Sequence, residues 1–211
     1  PISLDHTWTK TLPFATINWQ ATPTLAFYGQ YAQGFYVPDL SSFYSPSSSL
    51  SASLSDLKPQ STTNYQIGGV WHGARISVDA DAYIINVNNK IGTCNTAGCD
   101  TTLLINIGQV RYKGVEGGIS VLPVKGLTVF ANGSYNYAHS VTTNAQIAKA
   151  PFTTAAAGFI YSSGGFRLSF NEKFTGPAYA TEYSGSGPRN YRIAPYGIGE
   201  FAISQQVNDN F

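Results

Sequence analysis

A single carboxylate interrupts an apolar alternation in the stretch RYKGVEGGISVLPVKGLTVFANGSYNY, which begins at Arg111. Val115, Gly117, Ile119 and Val121 share one parity of this stretch, and Glu116 lies on the other parity between glycines. A carboxylate buried in an apolar strand is suited to proton transfer, because burial shifts the pKa of its side chain. A carboxylate on a water-facing side of the same strand would only be hydrated. The side of the strand that Glu116 occupies therefore decides its chemistry.

The other residues that could do chemistry are scattered. His6, His72 and His139 lie far apart, at expected turns and loops, without the spacing of metal ligands. The sequence GIGEFA at 197–202 matches the glycine fingerprint of dinucleotide-binding proteins, but it lies inside an expected strand with no helix after it. We therefore expect no catalytic residues, no metal site and no cofactor, and we predict that the protein is not an enzyme.

Two cysteines lie close together in the segment GTCNTAGCD. A structural zinc site needs four ligands, and no second pair of ligands accompanies Cys94 and Cys99. A local disulfide formed in an oxidising compartment is the favoured interpretation, with two free thiols as the alternative. Its role would be to shape the tip of one loop.

Composition limits the class of protein. Only 11% of the 211 residues are charged and the net charge is +1, so no electrostatic partnership with nucleic acid is indicated. No run of apolar residues is long enough for a membrane-crossing helix. The chain contains no Met and opens at Pro1 in mid-pattern, and we expect it to be a piece of a longer precursor.

Strand signals dominate the whole chain. Period-2 alternation, β-branched and aromatic residues, and Gly, Pro, Asn and Ser between them predict an all-β protein. We predict an antiparallel up-and-down meander of about nine long strands, a segment of a transmembrane β-barrel. The predicted strands cover 13–20, 24–36, 62–72, 75–88, 103–122, 127–139, 151–161, 166–176 and 190–204. We also predict a β-bulge near Lys113, where the alternation is briefly disturbed.

The connections alternate strictly between short and long. Tight turns are predicted at 21–24, 72–74, 123–126 and 163–165, and long polar loops at 37–61, 88–100, 139–150 and 179–190. In a meander, every second connection lies at the same end, so one end carries turns and the other carries loops. Outer-membrane barrels have this asymmetry. A soluble β-sandwich is the alternative, but its strands are usually shorter, about 5–6 residues.

Four segments, in order, resemble the barrel of TonB-dependent outer-membrane receptors. YGQYAQGFYVPDL resembles a strand exit of that family through Gln33, Gly34, Phe35 and Pro38. LKPQSTTNYQIGGVW resembles its Leu-Lys-Pro-Glu and Asn-Tyr-Glu-Ile-Gly element, although Gln60 and Gln66 stand where the family often has Glu. The Gly-Val-Glu at 114–116 matches its Arg-x-x-Gly-Val-Glu strand, and KAPFTTAAAGFIY resembles the start of a later strand.

The resemblance implies a receptor that imports a scarce nutrient, most often a ferric siderophore, with vitamin B12, haem and oligosaccharides as other substrates. Residues 1–211 would form one partial barrel domain, lacking the plug domain, the early strands and the final strands. The implied partners are outer-membrane lipid, the protein's own plug domain, TonB acting through the plug, and a small-molecule nutrient. The implied location is the outer membrane of a Gram-negative bacterium.

Within such a barrel, the polar parity faces the lumen. The charged residues expected there, which either hydrate the lumen or contact the plug, are Arg75, Asp79, Asp81, Glu116, Arg167 and Glu200. Gly114 and Gly118 would leave room beside Glu116. The residues of the long loops expected to contact ligand are Phe43, Tyr44, Tyr179, Tyr183 and Arg189. Two other functions stay open: a porin-type barrel without a plug, and a soluble β-rich module that binds carbohydrate.

Overall fold

A computed structural model describes residues 7–38, 57–93, 104–180 and 192–207. Within these residues the chain forms thirteen strands and contains no helix long and apolar enough to cross a membrane. In chain order they are β1 (Phe14–Thr22), β2 (Leu25–Tyr36), β3 (Gln60–His72), β4 (Ile76–Asn88), β5 (Ile91–Thr93), β6 (Leu104–Asn106), β7 (Val110–Val124), β8 (Leu127–Ser140), β9 (Thr153–Ser163), β10 (Phe166–Thr175), β11 (Ala178–Tyr179), β12 (Arg192–Ile193) and β13 (Tyr196–Gln205).

Nine of these strands form one antiparallel sheet in the order β1-β2-β3-β4-β7-β8-β9-β10-β13. Each strand pairs with the next long strand along the chain, so the predicted all-β meander is confirmed. The nine strands contain 9–15 residues each. A tilted strand of about 9–11 residues suffices to cross a bilayer, so every strand of the sheet is long enough.

Three details of the predicted strands were wrong. The strand predicted at 103–122 is divided at Gly108 (φ +97°), and β6 pairs with β5 in a separate hairpin instead of extending β7. The strand predicted at 190–204 is divided in the same way, since β12 pairs with β11. The bulge near Lys113 is absent from the β4–β7 pair, whose register is continuous. A register shift occurs instead in the β7–β8 pair, between Val121 and Val124. It lies beside Pro123, which has no N–H to donate.

The alternation of short and long connections is confirmed. Turns at 23–24, 73–75, 125–126 and 164–165 join the strands at one end of the sheet, and the connections 37–59, 89–109, 141–152 and 176–195 lie at the other end. At the turn 164–165, Gly164 and Gly165 have φ of +55° and +79°. Two consecutive positive φ angles are what a two-residue hairpin of the twist-matched type requires.

The register gives the sheet two chemically different faces, because residues directly opposite each other on antiparallel strands share a face. The apolar face carries Ile17, Trp19, Phe27, Ile67, Trp71, Val78, Val115, Ile119, Val129, Phe159, Phe170 and Phe201. The polar face carries Asn18, Tyr28, Gln66, Asp79, Asp81, Glu116, Asn132, Ser134, Thr154, Asn171, Lys173 and Glu200.

The apolar face is uncovered. Ile17, Ile67 and Phe201 are 72%, 68% and 66% exposed, and they lie on strands spread across the sheet. A β-sandwich would bury such residues against a second large sheet, and the other sheets of the described residues have only two strands each. The arrangement contradicts the sandwich alternative and requires an apolar surrounding for the face.

A small buried cluster lies instead at the loop end of the polar face. Val87, Val110 and Ala138, on three neighbouring strands, pack with Ile147 from the connection 141–152. Ile147 is held there by its N–H, which donates to the Ala138 carbonyl at 3.0 Å. This connection therefore pairs along the end of β8, and the Ile147 side chain packs on the loop end of the polar face.

We expect Gly126→Ala to destabilise the fold more than Gly164→Ala does. Both glycines have positive φ, but a Cβ on Gly126 would press against the Ser162 carbonyl oxygen, whereas a Cβ on Gly164 would meet nothing within 4 Å. The left-handed conformation alone costs an ordinary residue about 1–2 kcal/mol. Urea midpoints of the folded protein should fall for both variants, and further for Gly126→Ala. Equal midpoints would contradict the close approach at Gly126.

Candidate functional site

Three carboxylates come together on the polar face. Asp79 and Asp81 lie two residues apart on β4 and point to the same face of the sheet. Glu116 on β7 lies directly opposite Asp81. Like charges opposite each other in a sheet are destabilising, so this arrangement needs compensation from outside the strand pair. The described lysines and arginines form no salt bridge with these carboxylates. We call Asp79, Asp81 and Glu116 the carboxylate cluster.

One phenol partly satisfies the cluster. Tyr28 on β2 donates its hydroxyl to Asp81 Oδ2 at 3.2 Å, across the intervening strand β3. The ring lies over Gly68, where a Cβ would come within 2.6 Å of the phenol Cζ and hydroxyl oxygen, so only glycine allows this approach. Asp81 Oδ1 is buried and has no hydrogen-bond partner among the described residues. The cluster thus retains unsatisfied negative charge.

Two cavities open on the polar face and meet at Glu116. The first, of about 400 Å³, lies towards the tight turns and is lined by the carboxylate cluster together with Asn132, Ser134 and Thr154. The second, of about 250 Å³, lies towards the loops and is lined mainly by Asn64, Gln66, Tyr83, Tyr112 and Asn136. The first cavity is therefore acidic, and the second is lined by amides and phenols.

Glycines beside Glu116 have a different role from the one expected. A Cβ on Gly114 would lie 2.7 Å from the Tyr83 hydroxyl oxygen, and a Cβ on Gly118 would lie 3.1 Å from Asp79 Oδ1. The expected room at these glycines is thus occupied by side chains of β4. The Tyr83 hydroxyl also donates a hydrogen bond to Asn136 Oδ1 at 3.2 Å.

The other predicted polar-face residues lie apart from the cluster. Arg75 is an exposed residue of the turn before β4, and its carbonyl accepts a hydrogen bond from the Leu122 N–H at 2.8 Å. Arg167 on β10 lies opposite Ser162 and Ser204, and Glu200 on β13 lies opposite Asn171. All three are on the polar parity, but the fold does not bring them to the carboxylate cluster.

Most of the predicted loop residues lie outside the described residues. This applies to Phe43, Tyr44, Tyr183 and Arg189, and also to Cys94 and Cys99 with their predicted disulfide. Tyr179 is described: it lies in β11, and its ring meets the Phe152 ring edge-on with the centroids 6.0 Å apart. No group of three or more potential metal ligands occurs in the described parts of the chain.

One acidic residue on the apolar face of the described strands was not predicted. Glu172 on β10 lies opposite Ala157 and Gly199, in the same parity as Phe170. Its carboxylate lies across β13, where a Cβ on Gly197 would be 2.5 Å from Oε1 and a Cβ on Gly199 would be 2.6 Å from Oε2. The sequence could have predicted this position, because Glu172 follows Phe170 by two residues in the apolar alternation of β10.

The family follows from these features together with the sequence profile. The profile of the TonB dependent receptor-like β-barrel family matches residues 3–211. The chain therefore belongs to this family, and its nine-stranded sheet is a segment of the family's barrel. Members of the family are outer-membrane proteins of Gram-negative bacteria. Among curated proteins, none matches this chain in sequence.

Solved structures share the fold. The copper transporter OprC has a TM-score of 0.76 and 18% identity, over 93% of this chain and 31% of that chain. The unliganded ferric citrate transporter FecA has a TM-score of 0.70 and 16% identity, over 94% and 31%. A mutant ferric enterobactin receptor, PfeA from Pseudomonas aeruginosa, has a TM-score of 0.72 and 14% identity, over 94% and 33%. The chain thus spans about a third of the length of these proteins.

We expect Tyr28→Phe to lower the free energy of unfolding by about 1 kcal/mol, because it removes a hydrogen bond to a carboxylate. Tyr65→Phe is the matched control, since Tyr65 lies on the apolar face, is 50% exposed and makes no hydrogen bond within the described residues. Chemical denaturation of both variants measures the difference. Equal stability of the two variants would show that the Tyr28–Asp81 hydrogen bond contributes nothing.

Proposed function

We propose that this chain is part of the wall of an outer-membrane receptor that imports a scarce nutrient with energy delivered by TonB. The observation that carries the proposal is the family match over residues 3–211 on a sheet with one apolar and one polar face. The apolar face contacts lipid and the polar face lines the lumen. Since the chain spans about a third of its solved relatives, the activity proposed is that of the whole protein.

The membrane placement is supported by the exposed side chains. Large apolar residues such as Ile17, Ile67 and Ile203 are exposed on strands long enough to cross a bilayer. Aromatic residues accompany them near the two ends of the strands, with Trp71 close to a tight turn and Tyr135 towards the loops. Tyr and Trp favour the membrane–water interface at both ends of a spanning segment.

The carboxylate cluster is proposed to contact the plug domain inside the lumen. Asp79, Asp81 and Glu116 line a cavity of about 400 Å³ and have no basic partner in the described part of the chain. A plug segment that presents arginine or lysine there would relieve the repulsion between the opposed carboxylates. Arg75, Arg167 and Glu200 are proposed as further lumen residues, at the turn end and on β10 and β13.

The nutrient is proposed to be a ferric siderophore or a similar metal complex. Support comes from the solved relatives, which are named as a copper transporter, a ferric citrate transporter and a ferric enterobactin receptor. In this chain, the ligand would meet the loop end of the polar face, with contacts from Phe43, Tyr44, Tyr179, Tyr183 and Arg189. No enzymatic step is proposed: the loops bind selectively, and the plug controls passage.

We expect Glu116→Ala in the full-length receptor to impair uptake or plug retention while leaving barrel assembly intact. Removing the carboxylate would remove a contact for a basic plug residue, so the plug would seat less firmly. Conductance in planar bilayers and nutrient-dependent growth under iron limitation measure the two effects. Glu172→Ala, on the opposite face, is the matched control and should not raise the conductance.

Two outcomes would count against these assignments. Unchanged conductance and uptake in Glu116→Ala would leave the carboxylate cluster with the role of hydrating the lumen. A large open pore in the unmodified full-length protein would favour a porin-type barrel without a plug. Growth on a panel of ferric siderophores, compared with a deletion strain, would identify the nutrient.

We expect Glu172→Leu to raise the free energy of unfolding in phospholipid vesicles by about 1–2 kcal/mol. A basic residue on the lipid face costs about 2–4 kcal/mol near the bilayer midplane, and an acidic residue costs less. Glu200→Leu on the polar face of the neighbouring strand is the control, and it should give no such gain. If Glu172→Leu destabilised the barrel, the carboxylate would have a favourable contact that the apolar-face placement does not predict.

A further inference from the structure

Two of the long connections are joined at their bases by one side chain. Asn106, in the short strand β6 of the connection 89–109, accepts a hydrogen bond from the Lys58 N–H through Oδ1 at 2.7 Å. Its Nδ2 donates to the Lys58 carbonyl oxygen at 2.8 Å. The carboxamide of Asn106 therefore pairs with both main-chain groups of a residue in the connection 37–59, 48 positions away. An amide side chain is suited to this contact, because it carries donors and an acceptor as a peptide group does.

The same carboxamide also holds the start of its own connection. Asn106 Nδ2 donates a further hydrogen bond to the Asn89 carbonyl oxygen at 2.8 Å. Asn89 follows β4 with a φ of +52°, a conformation that Asn adopts more readily than most residues. Its own Nδ2 donates to the Pro59 carbonyl oxygen at 3.4 Å. We call Lys58, Asn89 and Asn106 the loop junction.

A second amide joins the two connections beside the loop junction. Gln60, the first residue of β3, accepts a hydrogen bond from the Ile91 N–H through Oε1 at 3.3 Å. The neighbouring Lys90 directs its N–H the opposite way, to the Gly108 carbonyl oxygen at 2.9 Å. Successive residues of a strand direct their N–H groups to opposite edges, so the Ile91 N–H is left for Gln60. The connections are thus joined by two separate side-chain amides.

These contacts make the positions of the two connections depend on each other. Leu57, next to Lys58, is only 7% exposed, so the end of the connection 37–59 is packed against the protein. The bonds to Lys58 and to Asn89 share the one carboxamide of Asn106. Displacing either segment therefore loosens the group that also holds the other, which is the physical basis of a cooperative opening unit.

We propose that Asn106 is a positioning residue that couples the connections 37–59 and 89–109, so that nutrient contacts made by one connection depend on the place of the other. The inference rests on the proposed function, in which the long connections bind the nutrient. Coupling raises affinity, because a receptor that already populates its binding arrangement loses less free energy in forming it. Asn106 acts through the two connections and not by touching the nutrient.

Hydrogen–deuterium exchange of the full-length receptor, measured without nutrient, tests the coupling. Asn106→Ala should accelerate exchange of the Lys58 N–H by about fivefold, because that group loses its acceptor. It should also accelerate exchange of the Ile91 N–H, whose acceptor Gln60 is retained. Gln60→Ala should accelerate both groups in the same way, since coupling between two sites is reciprocal.

Gln109→Ala is the matched control for the exchange experiment. Gln109 is an exposed residue of the connection 89–109, and its side chain forms no hydrogen bond within the described residues. Its replacement should leave exchange of the Lys58 and Ile91 N–H groups unchanged. If Asn106→Ala and Gln60→Ala each accelerated only the N–H group whose acceptor they remove, the two contacts would be independent and the proposal wrong.

Uptake kinetics test what the coupling does for the nutrient. Ferric enterobactin, ferric citrate and copper serve as probes, since they are the cargoes named for solved relatives. For each probe that the receptor imports, Asn106→Ala should raise the half-saturation concentration about fivefold and leave the maximal rate unchanged. Asn106→Asp has the same size but lacks both donors, and it should give the same rise. A lower maximal rate with an unchanged half-saturation concentration would overturn the positioning role.

Failure of this inference and failure of the proposed function give different results. If the unmodified receptor imports none of the probes and supports no growth on the siderophore panel, the proposed function is wrong, and exchange still decides the coupling. If a probe is imported and its half-saturation concentration does not depend on Asn106, only the coupling is wrong.

Discussion

Continuous antiparallel pairing with a side-chain period of two is the constraint on which the rest of this structure depends. Because the register runs across most of the sheet without slips, each row of opposed residues keeps one chemical character. One such row contains Asn18, Tyr28, Gly68, Asp81, Glu116, Ser134 and Thr154. A slip of one residue in any pair would transfer these polar groups to the apolar face. The separation of faces is thus a property of the whole sheet.

The same constraint explains why the site combines acids that are distant in sequence. Asp81 and Glu116 lie on strands separated by the long connection 89–109, and only the β4–β7 register brings them opposite each other. The opposed charges cost the isolated sheet several tenths of a kcal/mol or more, about the scale of a cross-strand pair. A protein that keeps such a pair on the polar face of its sheet retains negative charge that no described lysine or arginine neutralises.

The segment buries little apolar surface by itself. Within the described residues, the buried hydrophobic side chains are Leu57, Val87, Val110, Ala138, Ala145, Ile147 and Ala178, and they lie towards the loops instead of forming a core under the sheet. The remaining large apolar residues face outward. Burial of that face is therefore left to its surroundings, while backbone hydrogen bonds between strands hold the sheet together.

The sequence predicted what depends on local periodicity and missed what depends on pairing. Alternation along 75–88 and 127–139 correctly separated the two faces, and the strict order of short and long connections correctly gave the meander. The pairing partner of Leu104–Asn106 could not be predicted from alternation. The alternation of this segment is the same whether it extends β7 or pairs with β5. The roles of Gly68 and Gly114 also depend on register, since the rings that cross them come from neighbouring strands. Glu172 was accessible to sequence reasoning, because it continues the parity of Phe166, Leu168 and Phe170.

Placing every long connection at one end also affects how such a protein can change over time. The tight turns are bound by backbone geometry, as the positive φ angles of Gly164 and Gly165 illustrate, and they tolerate few replacements. The long connections also contain positive φ angles, at Asn89, Gly108, Asn144 and Lys149, but doubling the length of a flexible loop costs only about 0.6 kcal/mol in closure entropy. Insertions, deletions and exchanges of residues can therefore accumulate at one end of the wall without altering the pairing beneath it. A lineage could acquire a new specificity there while the wall that carries the loops is inherited unchanged.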